Sequence, residues 1–220
     1  MEAQPIRVAT VNDEVYARLH KAITSGALLP GMKLTIRSIA DSFQVSTMPV
    51  RDALRRLEAC GLVVFGRRSV TVTLLSPDEV EQVFQIRLRL EQLAAEWAIA
   101  RVGPHDLDEL ERILADMDEP GLSADQWRAL NQRFHLRFYE ASESDHLLRL
   151  IRDVWSKVEP YMAIYASRVD DFSESQQQHR FMLDLIRRGD LSGLLVATAH
   201  HLDYTAKTVV SALEERLASS

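Results

Sequence analysis

Residues 36–62 read IRSIADSFQVSTMPVRDALRRLEACGL, and their spacing predicts two short helices with a tight break between them. Ile36, Ile39 and Ala40 give the first helix an apolar face, and Phe43 and Val45 plug the break. Ser46 stands where it can cap the second helix, whose Val50, Ala53, Leu54 and Leu57 recur at three-to-four-residue spacing. The opposite face begins with Ser46, Thr47, Met48, Arg51 and Asp52. Small polar groups and an arginine at the N-terminal end of the second helix are what a recognition helix presents to base edges. The stretch therefore predicts a helix-turn-helix that binds DNA.

Working outward, Val15, Leu19 and Ile23 form a stripe that predicts a helix over residues 13–25, ended by Gly26 before a turn at Pro30-Gly31. Residues 1–10 read as a flexible arm, and Lys33-Leu34-Thr35 as a short extended lead-in. Beyond Gly61, β-rich runs at 62–65 and 70–75 flank Gly66-Arg67-Arg68-Ser69, a hairpin with two arginines at its tip. Helix, helix-turn-helix and hairpin make a winged helix over residues 11–75. Arg67 and Arg68 are then placed to meet phosphate or the minor groove.

Ser76-Pro77-Asp78-Glu79 is a strong helix start: a capping serine, proline at the first helical position, acids in the first turn. From there the chain reads as mostly α, with no strand. Helices are expected over residues 77–101, 104–118, 124–142, 144–169, 173–188 and 190–217, an antiparallel bundle of about six filling residues 76–220. The breaks fall at Gly103-Pro104, Glu119-Pro120-Gly121, residues 142–144, Asp170-Asp171 and Gly189-Asp190.

A net charge of −6 sits oddly with DNA binding until the chain is divided. Residues 1–75 carry ten Lys/Arg against six Asp/Glu, and the remainder sixteen against twenty-six. A basic head on an acidic body suits a protein that touches phosphate with one end. Cys60 is the lone cysteine, so no intramolecular disulfide forms; it reads as a buried small residue, with a redox sensor as the sharper alternative. A reducing, cytoplasmic setting is expected. The first ten residues lack the apolar core of a signal peptide, and no apolar run approaches the roughly 20 residues of a membrane span.

Three of the seven histidines form a pattern. Asn131 precedes His135 by four residues, which puts both on one helix face. His179 lies ten residues before Gly189 and His201 twelve after it. If Gly189-Asp190 turns an antiparallel helix pair, both sit roughly 15–18 Å from the turn at ~1.5 Å per residue and face each other. Three imidazoles and an amide oxygen suit a divalent transition metal such as zinc or nickel, with positions open for another ligand. Solvated or satisfied core histidines are the bland alternative. His200 points elsewhere, and His20, His105 and His146 read as solvated.

The string from GALLPGMKL through VSTMPVRDALRRLEACGLV resembles the winged-helix domain of the GntR family of bacterial transcription regulators. IRLRLE at 86–91, NQRFH at 131–135, QHRFMLDLIRRGD at 178–190 and His201 resemble the FCD effector domain of the FadR subfamily, and six helices its smaller, VanR-like branch. The resemblance implies a homodimer on a short palindromic operator, with DNA binding modulated by a small organic or sugar acid. It implies that the acid binds a metal held by Asn131, His135, His179 and His201, with Asn131 standing where Asp is common. It also implies DNA contacts from Arg37, Ser46, Met48, Arg51 and the wing. Thr47 departs from an arginine common at that position, so the operator is expected to differ at the corresponding base, and Ser69 stands where a glycine is common, which changes how the wing is expected to approach the minor groove.

Arg51 is the favoured base reader; Arg37 reads a base or binds phosphate, and Arg55 and Arg56 are expected to face phosphate or solvent. Arg87 matches an FCD arginine; its fork suits an effector carboxylate, or an ion pair with Glu91. Trp97, Trp127 and Trp155 read as core or interface packing, as do Tyr161 and Tyr165 unless they line the cavity. Two other functions stay open: the same regulator with a structural metal, a dimerising helical domain and no effector, or a metal-dependent hydrolase. No general base stands beside the histidines, which weighs against the hydrolase.

Overall fold

The computed structural model describes residues 10–67, 69–166 and 172–218. The arm at 1–9, Arg68, the Tyr165 side chain and the Asp170-Asp171 break lie outside the described residues. The chain divides into two units, Met1–Leu74 and Leu75–Ser220.

In the first unit, α1 spans Val11–Thr24, β1 Lys33–Leu34, α2 Ile36–Phe43, α3 Thr47–Ala59, β2 Val63–Phe65 and β3 Val70–Val72. Helix α1 starts two residues before the apolar stripe alone predicts, because Thr10 and Asp13 form a capping box. Val15, Leu19 and Ile23 pack with Ile39, Val50, Leu54, Leu57 and the inward residues of the hairpin. Gln44 ends α2 in the left-handed conformation (φ 55°), and the Val45 N–H reaches back to the Ala40 carbonyl at 3.0 Å. That closes the helix-turn-helix break, with Phe43 and Val45 packed against the core. The strands run antiparallel in the order β1-β3-β2, so the lead-in expected at residues 33–35 is a third strand, with Lys33 opposite Thr71.

Two expectations need correction here. Ser46 is the N-cap residue of α3, yet its hydroxyl makes no capping hydrogen bond. Cys60 is exposed rather than buried. Leu57 is the last core-facing position of α3, and Cys60 caps the helix end where the chain turns toward the next core residue, Leu62.

Among the described residues the second unit contains six helices: α4 Pro77–Ala98, α5 Pro104–Met117, α6 Ala124–Glu140, α7 Asp145–Ala166, α8 Ser173–Arg188 and α9 Leu191–Ala218. Capping boxes at Ser76/Glu79 and Ser123/Gln126 start α4 and α6. Gly189, at φ 65°, turns α8 into α9. Gly193 then lets the helices close together, since a Cβ there would lie 2.7 Å from Leu185 Cδ2. The core is built on Leu110, Ile113, Phe134, Ile151 and Leu194, and a second cluster gathers around Val80, Phe84, Tyr161 and Val209. Tyr161 is core, its hydroxyl accepting the Leu75 N–H at 2.5 Å. Trp127 and Trp155 are buried, but Trp97 is 42% exposed and outside the core. Among the described residues no helix is long and apolar enough to cross a membrane.

Candidate DNA-binding face and metal-ligand cluster

Ser46, Thr47 and Met48 open α3 on its exposed side, with Met48 63% exposed. Arg51 follows one turn later, also exposed. Because the Ser46 hydroxyl caps nothing, it and the first N–H groups of α3 are available to an anion. Arg37 from α2, Arg51 from α3 and Arg67 from the hairpin tip line one cleft of about 300 Å³. Among the described residues none of these three makes a hydrogen bond or an ion pair, so a like-charged trio faces one space. Such an arrangement suits phosphate and base-edge acceptors.

Arg55 and Arg56 are exposed, as expected, but each is also engaged within the unit. The Arg55 guanidinium lies 4.1 Å from the Phe65 ring centroid and pairs with Glu58 at 2.7 Å. Arg56 covers the Tyr16 ring at 4.0 Å and pairs with Asp13 at 3.0 Å. The Glu58 pair follows from i,i+3 spacing on α3, but Phe65, Asp13 and Tyr16 come from β2 and α1, and spacing along α3 gave no sign of them. His20 is a smaller correction: it is half-buried against Tyr16, and burial lowers its pKa.

In the second unit, α6, α8 and α9 bring His135, His179 and His201 together, with one ring nitrogen from each within 4.8 Å of the others. All three are buried, at 4%, 0% and 6% exposure. Burial, and then the neighbouring rings, drive His135 and His179 well below the ordinary imidazole range, with Arg87 adding to the shift of His135; burial and then Arg87 push His201 down to about 3. The rings are therefore neutral and hold lone pairs. His135 Nε2 and His179 Nε2 are 3.2 Å apart. Two nitrogens bound to one ion at about 2.0–2.1 Å lie roughly 2.9–3.4 Å apart, so the separation fits a shared ion. His201 Nδ1 meets the Gln178 amide oxygen at 2.8 Å, which fixes its tautomer and frees the other nitrogen. Among the described residues, Asn131 Oδ1 and His179 Nδ1 are buried with no hydrogen-bond partner. An orphaned amide oxygen beside three neutral imidazoles is what a cation would satisfy.

Beside the cluster lies a cavity of about 40 Å³, lined by Arg87, Arg128, Asn131, His135, Trp155 and Glu159 among others. Arg87 takes the ion pair that its spacing allowed, Nε to Glu91 Oε1 at 3.0 Å. Glu91 is 1% exposed and also accepts from Tyr139 Oη at 2.9 Å and Trp155 Nε1 at 2.7 Å. Among the described residues the two terminal nitrogens of Arg87 make no hydrogen bond, so both expected uses of its fork are compatible. Arg128, Glu159 and Gln178 had no recognisable signal in the sequence. Gln178 adjoins His179, but its bond to His201 depends on the register of α8 against α9. His105, His146 and His200 are exposed and apart from the cluster.

Residues 11–72 match the family of bacterial regulatory proteins named gntR, and residues 82–204 match the FCD domain. The chain is 28% identical over 207 residues to the HTH-type transcriptional regulator YdhC of Bacillus subtilis, covering 92% of each. It is 26% identical to the HTH-type transcriptional regulator McbR of Escherichia coli, over 80% of this chain and 81% of that one. The solved structure of E. coli McbR/YncC shares the fold, with a TM-score of 0.80 at 22% identity over 96% of this chain and all of the other. These relatives are regulators and not enzymes, which removes the hydrolase alternative. With a GntR winged helix followed by an FCD domain, the chain belongs to the GntR family and is a DNA-binding transcription regulator.

Proposed function

We propose that the protein acts as a homodimer on a palindromic operator, and that a small organic or sugar acid in the FCD domain changes its grip on DNA. Asn131, His135, His179 and His201 would hold a divalent transition metal, zinc or nickel, which when bound supplies a cationic anchor for the acid's carboxylate. Arg87 offers the free end of its fork to the same anion. Arg37, Ser46, Thr47, Met48, Arg51 and Arg67 would contact the operator. The wing residue Arg68 is proposed alongside them on sequence grounds alone. The observation that carries the ligand reading is the buried trio of neutral imidazoles beside the orphaned Asn131 oxygen. An acid that prefers one arrangement of the dimer shifts the population toward it by its difference in affinity.

Elemental analysis of the purified protein against the His135→Ala/His179→Ala double variant tests this. Close to one transition-metal ion per chain, lost in the variant, is expected. Its absence after reconstitution with zinc and nickel refutes the metal. The small size of the cavity favours a second reading, a structural ion with no effector. In that case chelation lowers the melting temperature while no small acid alters operator binding.

A further inference from the structure

Resting on the metal reading above, the surroundings of His201 show what prepares its ring to act as a ligand. A neutral histidine binds an ion only through the nitrogen that carries no proton, and the partner of the other nitrogen decides which one that is. His201 Nδ1 lies 2.8 Å from Gln178 Oε1, so Nε2 is the nitrogen left to an ion. A side-chain amide can offer Nδ1 either of its ends. Oxygen first, it accepts from Nδ1–H and the lone pair falls on Nε2. Nitrogen first, it donates to Nδ1, the proton sits on Nε2, and that atom is lost as a ligand.

A second hydrogen bond holds Gln178 oxygen first. Its Nε2 donates to Glu174 Oε1 at 3.1 Å. A carboxylate can only accept, so Glu174 takes the nitrogen end of the amide and leaves the oxygen for His201. Glu174 and Gln178 stand four residues apart on α8, the helix that also carries His179. Glu174 is exposed, Gln178 half-buried and His201 buried, so the chain of bonds runs from water to the cluster. A surface carboxylate with no atom among the ligands thereby reaches a buried imidazole.

We propose that Glu174 and Gln178 are positioning residues of the metal cluster: the exposed carboxylate, acting through one amide, sets the His201 tautomer that leaves Nε2 open to the ion. Zinc affinity of the full-length protein, measured by competition with a chromophoric chelator, tests this. Gln178→Leu is expected to weaken zinc roughly tenfold or more, while Gln178→Glu, whose carboxylate accepts from Nδ1–H in either orientation, stays within about threefold of the wild type. Glu174→Lys offers the amide a donor in place of an acceptor and should weaken zinc roughly threefold to tenfold. Added to Gln178→Leu, the same change should cost less than about twofold, because its effect passes through the amide. In the metal-free protein, long-range proton–nitrogen correlation spectra should show His201 protonated on Nδ1. Protonation on Nε2 overturns the proposal. So does an equal loss in Gln178→Leu and Gln178→Glu, which would trace the effect to packing. A Glu174→Lys effect that persists in the double variant also overturns it, by tracing the effect to charge at the start of α8. Unchanged affinity in Gln178→Leu overturns the proposal and leaves the metal reading standing. If the wild type takes up neither zinc nor nickel, the metal reading fails and the proposal fails with it.

Discussion

Replacing Glu91 by leucine is expected to destabilise the FCD unit more than any surface change, although Glu91 touches neither DNA nor a predicted ligand atom. Its carboxylate is 1% exposed and accepts from Arg87 Nε, Tyr139 Oη and Trp155 Nε1 at 3.0, 2.9 and 2.7 Å. Arg87 is itself only 11% exposed in its side chain, so losing Glu91 strands a cation with little water to solvate it. Breaking a buried pair from one side costs about 3–5 kcal/mol. The two neutral donors add ~1 kcal/mol each, but leucine fills part of the space and the terms overlap. A net loss of about 4 kcal/mol corresponds to a fall of roughly 8–16 °C for a chain of this size. Thermal unfolding followed by circular dichroism, at one fixed protein concentration, measures it. The double variant Arg87→Met/Glu91→Leu should recover more than half of the loss, because it removes the stranded charge. A loss below about 1 kcal/mol in the single variant refutes the account, as does a double variant no more stable than the single one.

Arg51→Ala should weaken operator binding at least about tenfold in fluorescence anisotropy with no change in melting temperature, whereas Arg56→Ala should lower the melting temperature and leave DNA affinity nearly intact; the reverse pattern would show that the two arginines have been assigned the wrong way round. The carboxyls of Asp106 and Glu109 lie below their ordinary range, Asp106 chiefly through the Gly103 N–H and then Arg137, Glu109 chiefly through Arg137. A depressed carboxyl stabilises above its unfolded pKa of about 4 and ceases to do so as pH falls through the folded value. Denaturant stability should therefore decline on acidification below about pH 4, more shallowly in Arg137→Met; identical slopes would exclude this network as a source. Gln44 adopts φ 55°, so Gln44→Gly should stabilise the fold slightly, by up to ~1 kcal/mol, and raise the urea midpoint, and Gln44→Val should lower it. A lower midpoint for the glycine variant would mean that the Gln44 side chain contributes more than its backbone costs.

The features legible in the sequence were those fixed within one turn of chain. Ser76-Pro77 and Gly103-Pro104 announce their helices because capping and the missing proline N–H act locally. The pairing of His179 with His201 was legible because Gly189 marks a turn and the helix rise is constant. What escaped was set by partners distant in the chain. Arg55 and Arg51 both lie on the outward side of α3, yet Phe65 engages one and nothing among the described residues engages the other. Asp13, which the apolar stripe placed at the start of α1, serves both the Thr10 cap and Arg56, and only the packing of α1 on α3 makes the second role possible. Cys60 escaped for a different reason: helix periodicity stops predicting burial at the cap, where the backbone leaves the helical path. The anchoring of Glu159 by Gln132 requires α6 and α7 to lie side by side, which no motif in either helix records.

Strand β1 is two residues long, yet it ties two of the proposed DNA contacts to one another. Leu34 is paired to Val70 in the wing, and the next residue, Thr35, caps α2 by accepting the Ser38 N–H at 3.1 Å. Wing and α2 are thus joined with no slack between them, and Arg67 and Arg37 sit on opposite jaws of one caliper. A caliper without play cannot widen to follow an ill-fitting groove. If Arg37 and Arg67 grip the operator as proposed, the cost of mismatch falls on the duplex, and operators would be sorted by the stiffness and groove width of bases that no side chain touches.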